Sequence, residues 1–225
     1  MAMVQNQLAA HGTVYFTHLQ TAGKGQRGKA WKATAGLNLM QSVVLDASPF
    51  NIGNPFTLSA IVANACYDFY KAYAGDETCI KWPNDIYWND RKAGGILIEN
   101  VIKGSTWTWA VVGIGININQ TNFDEDIPNA VSLKQITGKE FNPVELGKEL
   151  CTWLDKHYKQ FLTQGFRSAF HHYNDHLYKK NELVRLRRNN VVFDCTVKRV
   201  TEQGDLLVDG CAWEKFVFGE VEWIK

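Results

Sequence analysis

Alternating apolar and polar positions mark the strands in the longer N-terminal part of the chain. Runs rich in β-branched and aromatic residues repeat there with a period of two. Because Asn89–Asp90 and Lys103–Gly104 are typical hairpin turns, we expect an antiparallel or mixed sheet. The predicted strands are Thr13–Leu19, Gly36–Asp46, Thr78–Trp88, Gly94–Val101 and Thr106–Asn119.

Apolar residues spaced three to four positions apart predict helices in the segments between these strands. Pro55 favours a helix start, and Gly75 and Gly165 are typical helix ends. The polar segment Gln120–Phe141, which contains Pro128, predicts a loop with at most short helical turns. The predicted helices are an opening segment 1–10, Phe56–Tyr73, Pro143–Gln164 and a shorter stretch through Phe170 and Tyr173.

The pattern changes from Asn181 onwards, where short apolar runs alternate with turns. Asn189–Asn190, Gln203–Gly204 and Asp209–Gly210 are the turn signals. Short strands so close together predict a small SH3-like β-barrel docked on the main domain. The fold class is therefore α+β, with a mixed central sheet packed by helices and a division into residues 1–178 and 179–225. The predicted short strands are Leu183–Leu186, Val191–Val200, Asp205–Val208 and Phe216–Trp223.

Composition narrows the class of protein. The 225 residues carry a formal net charge of +1, which argues against a general nucleic-acid binder. Five cysteines without a C-x-x-C fit neither a disulfide framework nor a zinc site, so we expect a reducing, cytoplasmic compartment. We expect no membrane span, since no apolar run approaches the roughly 20 residues that a membrane helix needs.

The stretch Thr21–Trp31, TAGKGQRGKAW, carries three glycines and three cations and is the first candidate site. Such a loop can bring backbone N–H groups and positive charge close to an anion. A strand is expected after it, whereas the dinucleotide fingerprint needs a helix, and Ala30 stands where a Walker A loop needs Ser or Thr. The alternative is a surface loop without a ligand.

Three later stretches contain further candidate site residues. In Lys81–Asp85 (KWPND), Pro83 is expected to end strand pairing and to turn Asn84 and Asp85 towards open space, although an ordinary turn is the alternative. In Arg91–Gly95 (RKAGG), a cation precedes two glycines. In Gly113–Asn117 (GIGIN), alternate residues lack side chains, which leaves room for a flat ligand or for a tight strand-on-helix crossing.

Four motifs in this order, TAGKGQRGKAW, KWPNDIY, RKAGGILIE and GIGININ, resemble those of the biotin protein ligases, and the resemblance covers nearly the whole chain. It implies a two-step reaction in which biotin and ATP form biotinoyl-5′-adenylate and pyrophosphate. The acyl group then passes to a lysine of the biotin carboxyl carrier domain of acetyl-CoA carboxylase or a similar enzyme. Mg²⁺ would bridge phosphate oxygens with few protein ligands.

The resemblance also implies which residues form the site. Lys92 and Asp85 would be catalytic, and no protein ligand set for a metal is implied. Biotin would contact Gln20, Gly23, Lys24, Gly25, Gln26, Lys92, Gly94, Gly95 and Gly115. ATP or the adenylate would contact Lys24, Arg27, Lys29, Trp31, Asn84, Asp85, Lys92 and Asn117.

Two departures from the family pattern bear on this expectation. Lys24 and Gln26 replace two loop arginines, and Gln26 removes a charge, which puts adenylate retention in doubt. The Ser-Thr-Asn segment that binds biotin in the family does not precede Met1, so we expect the natural chain to start earlier. No helix-turn-helix is present, which predicts a monofunctional ligase without DNA binding; a homodimer is compatible with the resemblance.

Other functions stay open at this point. Lipoate ligases share the fold and the acyl-adenylate chemistry, and a non-catalytic binding protein with the barrel as an adaptor is a second alternative. His171, His172 and His176 could suggest a metal site, but no acidic or cysteine partner is evident, so we expect a surface or packing role.

Overall fold

The computed structural model describes residues 1–6, 8–124, 127 and 129–224. Its central feature is a six-stranded sheet in the order β1-β2-β6-β5-β4-β3. The strands are β1 (Val14–Phe16), β2 (Leu39–Asp46), β3 (Thr78–Lys81), β4 (Asp85–Trp88), β5 (Arg91–Lys103) and β6 (Thr106–Ile116).

All paired strands of this sheet are antiparallel. The parallel component consists of two isolated bridges, Ile80–Leu177 and Lys92–Ala130. The prediction of one strand over Thr78–Trp88 was wrong, because β3 and β4 form a hairpin there. Pro83 lies in the turn between them, where its missing N–H does not interrupt the ladder.

Helices cover one face of the sheet. The long helix α2 (Phe56–Ala74) is almost entirely buried and packs on α4 (Pro143–Gln164) and α5 (Phe166–Asp175). Gly75, with φ 81°, ends α2 in a conformation that favours glycine. Alternate residues of β5 and β6, such as Ile96, Ile114 and Ile116, join this core, which leaves their neighbours on the opposite face.

Two segments differ in helix content from the prediction. The opening helix α1 covers only Ala2–Gln5, while Gln7 of the predicted segment lies outside the described residues. Val4 packs with Val44 and Val111 on the sheet face away from α2. In the predicted loop Gln120–Phe141, the short helix α3 (Leu133–Thr137) forms behind a capping box, and Pro128 lies outside the described residues.

The C-terminal unit is a five-stranded antiparallel sheet in the order β10-β9-β8-β7-β11. The predicted strand Phe216–Trp223 was wrong, because its ends belong to two separate strands with a turn between them. The unit docks on the main sheet and helices: Trp82 Nε1 donates to the Gly204 carbonyl at 2.8 Å. These features confirm the α+β prediction. The strands are β7 (Leu183–Arg188), β8 (Val191–Val200), β9 (Leu206–Asp209), β10 (Lys215–Phe216) and β11 (Glu222–Ile224).

None of the helices within the described part of the chain combines the length and apolar character needed to cross a membrane.

Candidate functional site

A cleft of about 1340 Å³ lies on the sheet face opposite α2. Gly95, Gly113 and Gly115 form its floor, where β5 and β6 present backbone instead of side chains. The alternation of glycine and isoleucine along β6 produces this floor, because each isoleucine points into the helix-covered core. The prediction that this strand leaves room beside Asn117 agrees with the position of the cleft.

The glycine loop folds into a narrow hairpin over the cleft. Gly25 N–H donates to the Lys29 carbonyl at 2.7 Å, and Trp31 N–H donates to the Gly23 carbonyl at 2.9 Å. A Cβ on Gly23 would lie 2.4 Å from the Trp31 carbonyl oxygen, so this close approach requires glycine. Between the two strands of the hairpin, Gln26–Gly28 form a 3₁₀ turn, and Arg27 adopts φ 55°.

Two side-chain amides join the loop and the KWPND turn at one carbonyl group. Asn84 Nδ2 donates to the Ile96 carbonyl at 2.6 Å, and Gln26 Nε2 approaches the same oxygen at 3.4 Å. The Ile96 N–H returns a hydrogen bond to the Asn84 carbonyl at 3.0 Å. Gln26 Oε1 is buried without a hydrogen-bond partner in the described structure. The loop tip is therefore attached to β5 by a weak contact only.

The acidic residue and the lysine predicted to be catalytic form an ion pair. Lys92 Nζ lies 2.7 Å from Asp85 Oδ1, and both side chains are about three-quarters buried, with 30% and 23% exposed. Gly95 is the register partner of Asp85, and a Cβ there would lie 3.2 Å from Asp85 Oδ1. The glycine therefore leaves space beside the pair.

Backbone contacts fix the strand that carries Lys92. Lys92 N–H donates to the Asn129 carbonyl at 2.6 Å, and Val131 N–H donates to the Lys92 carbonyl at 2.9 Å. Asn117 is buried, and its Nδ2 bridges the Lys92 carbonyl at 3.3 Å and the Val131 carbonyl at 3.2 Å. The amide nitrogen of Asn117 thus positions Lys92, while the residue also lines the cleft.

The indole of Trp31 lies against the glycine floor. A Cβ on Gly115 would lie 2.4 Å from Trp31 Cε2, so the ring occupies the space that a side chain would fill. The indole Nε1 is buried and has no hydrogen-bond partner in the described structure. Since a buried N–H normally has an acceptor, this group is available to an acceptor brought by a ligand.

Nearly all of the predicted site residues are gathered at the cleft. Gly94 is the exception: it is not among the described lining residues, and its Cβ position faces Ile116 on the core side. Residues lining the cleft are Gln20, Gly23, Lys24, Gly25, Gln26, Arg27, Lys29, Trp31, Asn84, Asp85, Lys92, Gly95, Gly115 and Asn117.

Sequence reasoning missed a wall of the cleft supplied by the C-terminal unit. Phe218, Gly219, Glu222 and Trp223 line it, although they lie about 190 residues after the glycine loop. Lys81, which also lines the cleft, lies 5.0 Å from the Trp223 ring and 4.6 Å from the Tyr87 ring. No local pattern in the sequence signals these long-range contacts.

Positive charge predominates around the cleft. The described lining residues include six lysine or arginine side chains but only three carboxylates, one of which is Asp85. Burial raises the pKa of the Tyr87 phenol, so this side chain stays neutral beside Lys81. A glycine-floored cleft with this surplus of cations is suited to a ligand with carboxylate and phosphate groups.

The histidines form a different cluster, away from the cleft. The expectation that they lack an acidic partner was wrong, because Asp68 on α2 bonds His157 Nε2 at 2.8 Å and His172 Nε2 at 2.9 Å. Burial alone would raise the pKa of Asp68, but the two histidine hydrogen bonds outweigh it and hold the pKa well below its usual range. The described residues include no group of histidine, cysteine and acidic side chains that could hold a metal ion. The cluster ties α5 and α4 to α2.

The fold and the cleft define an α+β protein with a cationic, glycine-floored site on an antiparallel sheet. Residues 3–117, just over half of the chain, match the Biotin/lipoate A/B protein ligase family. The chain belongs to this family.

Individual relatives extend the comparison. The chain is 30% identical over 210 residues to the bifunctional ligase/repressor BirA of Bacillus spizizenii, covering 91% of this chain and 63% of that protein. It is 31% identical over 153 residues to the biotin–[acetyl-CoA-carboxylase] ligase of Paracoccus denitrificans, covering 65% of this chain and 63% of that one. The chain thus spans less than two-thirds of the length of these curated relatives.

A solved structure matches over almost the full length. The biotin protein ligase of Aquifex aeolicus, in complex with biotin and ATP, superposes with a TM-score of 0.82 at 25% identity, covering 98% of this chain and 94% of that one. The likeness includes the C-terminal unit as well as the main sheet, since nearly all of both chains is covered.

Proposed function

We propose that this chain is an ATP-dependent biotin protein ligase that acts on the biotin carboxyl carrier domain of acetyl-CoA carboxylase or a similar enzyme. The Lys92–Asp85 pair beside the glycine floor is the observation that carries the proposal. In this proposal, Lys92 would supply the cation at the point where the biotin carboxylate and the α-phosphate meet. The family match and the ligand-bound Aquifex aeolicus structure support the same function.

In the first step, a biotin carboxylate oxygen attacks the α-phosphorus of ATP. The new O–P bond forms while the bond to the β-phosphate oxygen breaks, and pyrophosphate leaves with the electron pair. Lys92 neutralises the two anions that approach each other, and Lys24, Arg27 and Lys29 balance the remaining phosphate charge. Asp85 holds the Lys92 ammonium in place through the 2.7 Å ion pair.

In the second step, the amine of the acceptor lysine attacks the acyl carbon of the adenylate. The C–O bond to AMP breaks, AMP leaves with the electron pair, and the amine loses a proton. The loop limits water access to the mixed anhydride, and Trp31 covers the glycine floor from the loop side.

The other residues that line the cleft would have the roles that the resemblance implies. Gln20 and the loop glycines would contact biotin along the floor, while Trp31, Asn84 and Asn117 would contact the nucleotide. Gly94 would act through strand packing, since its Cβ position lies 2.9 Å from the Gly115 carbonyl oxygen. Mg²⁺ would be held mainly by phosphate oxygens, because the described residues offer no cluster of acidic ligands.

We also propose different roles for the two units of the chain. Residues 1–178 would form the catalytic unit, and residues 179–225 the small SH3-like unit that supplies one wall of the cleft. The five cysteines are all free thiols, which supports a reducing, cytoplasmic compartment.

ATP–pyrophosphate exchange tests the function. We expect exchange that depends on biotin and is much weaker with lipoate, and transfer of labelled biotin to a purified carrier domain. Lys92→Met should lower the rate of exchange by about 10²- to 10³-fold, whereas Lys103→Met, on the same strand but outside the cleft, should not change it. Lipoate-dependent exchange would favour the lipoate ligase alternative, and binding of biotin without exchange would favour a non-catalytic binding protein.

A further inference from the structure

Arg27 links the glycine loop to the C-terminal unit. Arg27 Nη1 donates a hydrogen bond to the Gly219 carbonyl at 2.7 Å, which joins residues 192 positions apart. Arg27 occupies the middle of the 3₁₀ turn at the loop tip. Its neighbour Gln26 reaches the sheet instead, with a contact of 3.4 Å to the Ile96 carbonyl. The tip is thus held between the two units of the protein.

The turn that receives Arg27 is well ordered by its own hydrogen bonds. Val217 N–H donates to Glu220 Oε2 at 2.9 Å, and Glu220 N–H donates to the Val217 carbonyl at 3.1 Å. Arg188 on β7 holds the same carboxylate at 2.7 Å. The turn that carries the Gly219 carbonyl is therefore held by bonds that do not involve Arg27.

Glycine is needed at position 219 for two reasons. Its φ of +90° lies in the region that favours glycine, and a Cβ there would lie 3.0 Å from the Arg27 Cζ atom. The guanidinium group therefore fills the space left by the missing side chain. Nearby, Glu222 faces the loop; its pKa is lowered chiefly by Arg187 and to a smaller extent by Lys29 and Arg27.

We propose that the turn Val217–Glu220 is the docking point that holds the glycine loop over the cleft. Arg27 is the positioning residue that binds this turn. The C-terminal unit then controls how long the loop stays closed, and through the loop it controls retention of the acyl-adenylate. The consequence for the adenylate rests on the proposed function, whereas the docking itself does not.

The contact can be tested without undocking the C-terminal unit. Trp82 Nε1 still bonds the Gly204 carbonyl at 2.8 Å, and Asn54 Nδ2 bonds the Glu202 carbonyl at 2.9 Å. Lys81 still lies 5.0 Å from the Trp223 ring. A change at the Gly219 turn should therefore act on the loop and leave the rest of this interface intact.

The test is amide hydrogen exchange of residues 21–31 in the full chain without substrates, comparing Gly219→Ala with Gly210→Ala. Gly210 has φ +80° in another turn of the same unit, and nothing lies within 4 Å of its Cβ position. The two substitutions therefore carry a similar backbone cost, but only Gly219→Ala displaces Arg27. We expect loop exchange to rise about three- to tenfold in Gly219→Ala and to stay unchanged in Gly210→Ala.

Arg27→Gln, which leaves the turn untouched, provides the second variant. We expect the same rise as in Gly219→Ala and no further rise in the double variant, since both changes remove one contact. Equal exchange in Gly219→Ala and Gly210→Ala, or additive effects in the double variant, would overturn the docking. Release of free adenylate into solution, measured with biotin and ATP, should rise in parallel. If amide hydrogen exchange of the loop rises as expected but neither the wild type nor any variant forms adenylate, the ligase function is contradicted and the docking is still supported.

Discussion

Substitution of Gly115 by alanine should open the glycine loop, because the added methyl group displaces the Trp31 indole. An ideal Cβ at this position would lie 2.4 Å from Trp31 Cε2, 2.5 Å from Cζ2 and 3.0 Å from Cδ2. Because non-bonded carbon atoms settle about 3.5–4.0 Å apart, the indole must move by about 1 Å or more. Overpacking of this kind costs about 1–3 kcal/mol, which corresponds to a factor of about 5 to 150 in an equilibrium constant.

The loop should absorb this cost, because its 3.4 Å contact from Gln26 to β5 is weak while the β5–β6 ladder beneath it is long. We therefore expect the KM for ATP in pyrophosphate exchange to rise about 5- to 150-fold, with the melting temperature changed little. Gly113→Ala is the matched control on the same strand and face, since its Cβ would meet its nearest neighbour, the Leu97 carbonyl oxygen, at 3.4 Å. Equal KM values for the two variants would refute the reasoning.

Three further predictions follow from other contacts. Lys92→Met should lower the rate of pyrophosphate exchange by about 10²- to 10³-fold, while Lys103→Met keeps the wild-type rate; a loss below tenfold would contradict the role of Lys92. Tyr173→Phe should cost about 1–2 kcal/mol in urea unfolding, because the buried hydroxyl donates to the Pro83 carbonyl at 3.0 Å, and an unchanged midpoint would exclude this bond. Asp68→Asn should cost about 1–3 kcal/mol at pH 7, since it removes the carboxylate shared by two histidines. The lowered pKa of Asp68 means that its contribution is present above the ordinary carboxyl pKa of about 3.9 and is lost as the pH falls towards its folded value, so the difference from wild type should shrink below about pH 4; a constant difference down to pH 2 would contradict the assignment.

The sequence was sufficient for those features that depend on local pattern. The glycine–isoleucine alternation of β6 predicted an open strand face, and the structure shows why: each isoleucine enters the core while the glycines face the cleft. Pro83 marked a break that became the β3–β4 turn, although the two strands were predicted as one. The pattern could not separate them, because both halves of the hairpin, TCIK and DIYW, are rich in residues that favour strands.

Contacts between distant segments could not be predicted in this way. Asp68 lies on a buried helix whose period gives no sign of two histidine partners about 90 and 100 residues later. The docking of Trp82 on Gly204 depends likewise on how the C-terminal unit packs against the main sheet. Gly94 was predicted to contact a ligand, but it does not line the cleft. The pleat of β5 turns it to the core, whereas the next residue, Gly95, faces the cleft.

The missing charge at Gln26 can be interpreted through the other contacts of the loop. The Ile96 carbonyl already accepts a hydrogen bond from Asn84 at 2.6 Å, so the Gln26 amide at 3.4 Å is a weak second donor. Loop closure then depends mainly on two stronger contacts, the Trp31 indole on Gly115 and the Arg27 bond to Gly219. Since these contacts hold one short segment, losing either should release both. We therefore expect the combined Gly115→Ala and Gly219→Ala variant to show hardly more loop exchange than the stronger single variant, and fully additive effects would mean that the loop moves as two independent parts.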